Sequence, residues 1–308
     1  MGPGARQALR LAGHLCRLLL AAVFLTAGLL KALDPEGFAR EVSSYGILAG
    51  SAATVFAYLL IPVEVAVGSA LLVNFRAVSS LGIASALMLL FIGAISFALI
   101  TDQPLEACGC FGRNMPRTPQ QTLAEDVGFL AAGLFGVFAL RSGAAAGPVI
   151  ASASRWKAPA LAATALASTA FVIASPHLPI DDVATALRPG VTWESLGVAL
   201  AETDLSKGNH LVVIMGMKEA STAAALPQLN SLAATGRVPL VGLYADDDSA
   251  YGQFFWTHGP AFPLYHVSPP DLGRMHRRLP RLFALRSGVV TATWEQMPDE
   301  GQIREALQ

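Results

Sequence analysis

Two cysteines one residue apart, Cys108 and Cys110, lie in the run Ala107-Cys108-Gly109-Cys110-Phe111-Gly112, a short polar stretch between two apolar segments. Closing a disulfide across a single intervening residue demands a tight turn, which Gly109 can supply because it lacks Cβ. A ring that small is strained and easily reduced, so the pair is expected to act as an oxidant in thiol–disulfide exchange. Arg113 nearby favours a thiolate. The alternative is a static bridge that pins the loop. No metal is expected here, because two thiolates without a second Cys or His pair do not complete a four-ligand site. The third cysteine, Cys16, lies near the other end of the first apolar segment. At about 1.5 Å of helix rise per residue it is too far away for a disulfide, whose Cα atoms must approach within about 7 Å. It is expected to be a small packing residue.

Glu64 is the second candidate. It lies mid-segment, two residues after Pro62, and a carboxylate inside hydrocarbon is costly enough to mark a functional site by default, one that accepts protons or faces a quinone. The alternative is a structural role, pairing with Lys31 or with backbone freed by Pro62. Lys31, Asp34 and Pro35 read as the outer end of the first helix, with Lys31 snorkelling to the interface.

The elements that must position these groups are membrane helices. The chain has 308 residues, 53% of them hydrophobic and 14% charged, and a mean hydropathy of +0.50, far too apolar for a soluble protein of this length. Residues 1–175 carry eleven Lys/Arg against eight Asp/Glu, and residues 176–308 ten against fourteen. That split separates a membrane half from a mildly acidic soluble half and gives no sign of nucleic-acid binding. Crossing a bilayer takes about 20 apolar residues, and five segments qualify: 11–33, 52–73, 77–100, 123–140 and 158–174. Glu125 and Asp126 are expected in the first turn of the fourth, at the interface, where the helix dipole favours negative charge. Pro159 opens the fifth. The first apolar stretch is too long for a signal peptide, and residues 31–34 are a poor cleavage site.

Lys and Arg concentrate at Arg6, Arg10, Arg17, Arg76, Arg141, Arg155 and Lys157 on one side, against Lys31, Arg40, Arg113 and Arg117 on the other. The expected orientation in the cell (inner) membrane is therefore N-terminus cytoplasmic. Five crossings then put Cys108, Cys110 and the C-terminal domain outside, where disulfides persist.

A set of spaced motifs joins these features: Gly28-Leu-Leu-Lys31-Ala-Leu-Asp34-Pro35 with Phe38 and Tyr45, Pro62-Val-Glu64 with Gly68, the Cys108-Gly-Cys110-Phe-Gly112 run, and Glu125-Asp126. Over about residues 10–141 the chain resembles the methylamine utilisation protein MauE family, within the wider DoxX-like membrane proteins. The resemblance implies a DoxX-like four-helix transmembrane bundle and a role in forming or maintaining disulfides in an exported partner. The family prototype supports maturation of the disulfide-rich small subunit of methylamine dehydrogenase. Analogy with the DoxX group suggests a quinone as electron acceptor.

After the fifth helix, an α/β pattern is predicted: a strand at 210–216, a helix at 220–234, a strand at 238–245, helices near 249–257 and 271–278, and a hairpin of 281–286 with 289–294 around Ser287-Gly288. Over about residues 185–308 this order resembles a thioredoxin-like domain of the MauD type. Aligned on residues 211–214 and Pro227, the expected Cys-x-x-Cys falls on Glu219 and Thr222, and Leu279-Pro280 falls on the family's cis-proline. Neither Glu219 nor Thr222 is a thiol, so the domain is expected to lack redox chemistry of its own. The domains are expected to be 1–141, 142–179 and 180–308. Residues 246–248, three consecutive acids, read as a solvated loop. Arg274, Arg277, Arg278 and Arg281 read as a solvated helix face, and Phe254, Phe255, Trp256 and Phe262 as core.

The expected function is that of a membrane thiol/disulfide redox protein, with Cys108 and Cys110 catalytic and Glu64 facing a quinone or a proton. Its partners would be the lipid bilayer and an exported disulfide-containing client or thioredoxin-like carrier. The alternative is a non-catalytic membrane scaffold that docks such a partner through its C-terminal domain.

Overall fold

The computed structural model describes residues 2–103, 118–142, 156–198, 200 and 203–308, so Cys108, Cys110 and Arg113 lie outside the described residues. The chain divides into two compact units, Met1–Leu178 and Pro179–Gln308.

The first unit comprises α1 (Pro3–Leu33), α2 (Pro35–Ser44), α3 (Gly50–Leu72), α4 (Ala77–Ile100), α5 (Pro119–Ser142) and α6 (Lys157–Ala174). All but α2 are long and apolar enough to cross a membrane; α3, with 23 residues, reaches roughly 35 Å against a core of roughly 30 Å. Large apolar side chains such as Leu59, Leu89 and Leu166 face outward, as expected of helices solvated by lipid. The chain is a multi-pass membrane protein. Helix α1 packs on α3 and α5, α4 on α5, and α6 on α3, around a core that includes Leu20, Phe24, Leu71, Leu81 and Met88. Cys16 packs against α5, where a Cβ on Gly136 would lie 3.3 Å from its own. Arg17 is buried, and its guanidinium donates to the carbonyls of Leu71 and Leu72 at the end of α3, satisfying acceptors that the helix itself leaves open.

Helix α2 was not expected. Asp34 breaks α1, accepts a hydrogen bond from Gly37 N at 2.9 Å, and with Pro35 starts a new helix. Its buried face holds Phe38, Ala39, Glu41 and Val42.

The second unit is an α/β domain with a mixed five-stranded sheet. In chain order it contains α7 (Asp181–Ala184), β1 (Asn209–Ile214), α8 (Ala220–Ala234), β2 (Leu240–Tyr244), α9 (Asp248–His258), β3 (Leu264–His266), α10 (Pro269–Gly273), β4 (Arg281–Arg286), β5 (Val289–Trp294) and α11 (Glu300–Leu307). The sheet order is β3-β2-β1-β4-β5. Strands β1, β2 and β3 are parallel, β4 runs antiparallel to β1, and β5 antiparallel to β4. Central strand β1 is buried on both faces, as its unbroken apolar run requires. Leu211 and Val213 meet Leu226 and Leu229 of α8, Phe254 of α9 and Ile303 of α11. Val212 and Ile214 meet Leu187, Trp193 and Leu205 from the segment before β1 and Leu272 of α10.

Two expectations are corrected here. Arg277 and Arg281 are buried, at 4% and 1% exposure, and not on a solvated helix face, because Asp181, Asp182 and Thr185 from about 96 to 99 residues earlier supply their partners. Trp256 is 86% exposed and Phe255 38%, since the one-sided α9 turns only Phe254 and Ala250 inward. Residues 246–248 do form the expected solvated loop at a helix start, with Asp247 and Asp248 exposed: Asp246 Oδ2 accepts from Met217 N at 2.8 Å, and Asp247 caps α9 and pairs with Lys218 at 2.8 Å.

Candidate functional site

Close packing of α1 on α3 builds the site. A Cβ on Gly28 would fall 2.8 Å from Val65 Cγ2, and one on Gly68 2.9 Å from Leu25 N, so both glycines are needed for the helices to approach this closely. Lys31 follows Gly28 by about one turn and Glu64 precedes Gly68 by about one turn, and the two side chains meet. Lys31 Nζ donates to Glu64 Oε1 at 2.6 Å, with side-chain exposures of 4% and 1%. Lys31 therefore points into the bundle and does not snorkel. The opposite charge on α3 makes burial less costly than stretching toward water.

The ammonium is also held by rings. Lys31 Nζ lies 4.7 Å from the ring centroid of Phe38 on α2 and 5.1 Å from that of Phe91 on α4, within range of cation–π attraction. It forms part of the wall of a cavity of about 250 Å³, lined otherwise mostly by apolar side chains, with Glu41 of α2 and Asp126 of α5 also on its lining. Asp126 is 1% exposed. It was expected at an interfacial first turn, but α5 begins at Pro119, about one turn earlier than expected, which puts Asp126 about two turns into the helix. The lining comes from the late turns of α1 and α4, the early turns of α3 and α5, and α2 with the turn after it. That is the end of the bundle at which α4 ends and α5 begins.

Of the site residues expected from sequence, Glu64 is thus described, and Cys108 and Cys110 lie outside the described residues. Sequence reasoning passed over Phe38, Tyr45, Glu41, Phe91 and Asp126 as site residues. Three of these, Phe38, Tyr45 and Asp126, belong to the spaced motif, which was the available signal. Among the described residues no group of three or more His, Cys, Asp or Glu is arranged to hold a metal ion.

In the second unit, the two positions aligned with cysteines flank the start of α8. Glu219 is the residue before the helix, and Thr222 is buried, its Oγ1 accepting from Gly216 N at 3.2 Å. Leu279-Pro280 is cis, and Ser221 Oγ donates to Leu279 O at 2.8 Å.

Residues 9–139 match the family model described as methylamine utilisation protein MauE. Among curated proteins, the methylamine utilization protein MauE of Paracoccus denitrificans is 35% identical over 103 residues, which is 33% of this chain and 55% of that protein. The chain thus spans about half the length of the curated relative it matches.

Proposed function

Because residues 9–139 of this chain belong to the MauE family, we propose that it is a membrane thiol/disulfide redox protein assisting maturation of an exported partner in methylamine utilisation. Cys108 and Cys110 carry the exchange. A thiolate of the client attacks one sulfur of the Cys108–Cys110 bridge and expels the other as a thiolate. The client's second thiolate then attacks the mixed disulfide, leaving the client oxidised and the pair reduced.

The observation that carries the reading is the charge-paired Lys31 on the wall of an apolar cavity at the end of the bundle where α4 ends and α5 begins, the two helices that flank Cys108 and Cys110 in the sequence. The cavity suits a quinone. Its volume, just below the roughly 300 Å³ lower end of small-molecule sites, matches a single ring. Phe38 and Phe91 offer faces for that ring, and the Lys31 ammonium a donor for a ring oxygen. A bound quinone would supply a sink for two electrons and two protons. Lys31 would orient its oxygen, and Glu64 would hold Lys31 charged and in place.

The C-terminal domain is read as thioredoxin-like, supported by its strand order, by α8 following β1 directly, and by the packing of Leu279-Pro280 against the first turn of α8. With Glu219 and Thr222 in place of thiols it serves to hold or orient the client. With the N-terminus cytoplasmic, it lies on the same outer side as the cysteine pair.

Trapping tests the reading. A Cys110→Ser variant expressed in the native host should accumulate a mixed disulfide through Cys108, identifiable by mass spectrometry. If the Cys108→Ser, Cys110→Ser double variant supports maturation as well as the parent and the trap stays empty, the scaffold reading replaces this one.

A further inference from the structure

Helix α5 turns a narrow stripe inward. Its buried residues are Thr122, Asp126, Gly133, Gly136 and Ala139, spaced at about one or two turns, as a single helix face requires. Farther along the helix, the glycines of that stripe close the contact with neighbouring helices: a Cβ on Gly133 would lie 2.5 Å from Ser85 Oγ on α4 and 3.2 Å from Leu20 Cδ1 on α1. At Asp126 the same face opens onto the cavity that holds Lys31. Of the adjacent acids Glu125 and Asp126, only Asp126 is buried, so the register of α5 selects which carboxyl meets the cavity.

The ionisable groups on that lining are Lys31, Glu41, Tyr45 and Asp126. Lys31 is committed to Glu64 at 2.6 Å and to two rings, and its charge keeps that buried pair intact. Glu41 belongs to α2, whose exposed residues include Glu36 and Arg40, and Tyr45 follows that helix. Asp126 is the more deeply buried of the two carboxyls, 1% exposed against 8% for Glu41. Reduction of a quinone consumes protons as well as electrons, and a carboxyl on an otherwise apolar intramembrane cavity is suited to supply them.

We propose that Asp126 is a catalytic residue of this cavity, the acid that delivers protons to a quinone ring bound there, an assignment that rests on the quinone reading of the same cavity. The exchange balances. As the Cys108/Cys110 dithiol closes to the disulfide it gives up two electrons and two protons, and the conversion of quinone to quinol takes up the same number. The thiol protons leave to water. Asp126 donates protons to the ring oxygens in turn and regains each from water by way of Glu41 of α2, the other carboxyl on the lining.

Duroquinone, a single ring whose methyl groups block addition of thiols, serves as the probe on the full-length protein in nanodiscs. Calorimetry gives its affinity for the disulfide form, absorbance gives the rate at which the dithiol form reduces it, and infrared difference spectra compare the two redox states. The parent should bind and reduce duroquinone, and its difference spectrum should contain a carboxyl C=O band that moves when aspartate carries heavy carbon. Asp126→Asn, which keeps the shape of the side chain, should bind as tightly, reduce duroquinone about a hundredfold more slowly, and lose that band. Should this variant fail to fold, seen as lost duroquinone affinity, the labelled parent carries the test, and a spectrum without an aspartate-sensitive band overturns the assignment. Parental turnover in Asp126→Asn overturns it too, while leaving the quinone reading in place. A parent that fails to bind duroquinone, or binds without reducing it, overturns both.

Discussion

The buried Lys31–Glu64 pair lends itself to a double-mutant cycle of Lys31→Met, Glu64→Gln and their combination. At 2.6 Å and an effective dielectric of about 20, the attraction is at most about 6 kcal/mol. Desolvation of both ions offsets much of this, while removal of one partner leaves the other buried without its counter-charge, at a cost of about 3–5 kcal/mol. Each single variant should therefore lose stability on that scale. The double variant, in which two neutral side chains of similar shape replace the ions, should recover most of the loss and land within about 1–2 kcal/mol of the parent. Equilibrium unfolding of the purified protein in mixed detergent micelles, followed by tryptophan fluorescence, gives the four free energies. The expected coupling is about 3 kcal/mol or more. Losses that add within about 0.5 kcal/mol would show that Lys31 and Glu64 do not share one buried interaction, and would remove the basis for assigning Lys31 a place on the cavity wall.

Two further outcomes follow from particular contacts. Gly68→Ala sets a methyl 2.9 Å from the backbone nitrogen of Leu25, which cannot step aside as a side chain would. It should cost about 1–3 kcal/mol in the same unfolding assay and weaken the Lys31–Glu64 coupling with it. Asp247→Ala removes the α9 cap, whose Oδ1 accepts from Ala250 N at 2.9 Å, and also the partner of Lys218. It should lower the stability of the C-terminal domain by about 1 kcal/mol, measured as a downward shift in the thermal midpoint at neutral pH.

What the sequence disclosed was governed by range. The five spanning helices, the β1-α8-β2 succession and the hairpin of β4 with β5 follow from local periodicity and turn residues, and their bounds differ from the structure by a few residues, except that α1 starts at Pro3, eight residues before its apolar stretch. Helix α2 escaped because Asp34-Pro35 serves both as the stop of one helix and the start of the next, and its ten residues include Glu36, Arg40 and Glu41. Helix α11 carried a readable signal in the reciprocal cap between Asp299 and Gln302. Strand β3, three residues long, gave none. Within the site, Glu64 stood out because a carboxylate amid apolar residues is conspicuous. The inward turn of Lys31 was foreseen only as one of two alternatives, since choosing between water and Glu64 depends on a helix contact that no local pattern encodes. Arg277 and Arg281 were misread for the same reason, with their acidic partners nearly a hundred residues away.

Biosynthesis meets the Lys31–Glu64 contact as a problem of timing. The two residues are 33 positions apart, so at ordinary translation speeds the ammonium emerges on the order of 2–7 seconds before the carboxylate that neutralises it. During that interval the first helix must leave Lys31 at the headgroups. Only when the next spanning helix delivers its acid can the lysine descend, which makes the pairing of these two helices a late, post-insertion event and makes any truncation before residue 64 an assembly intermediate with a stranded cation.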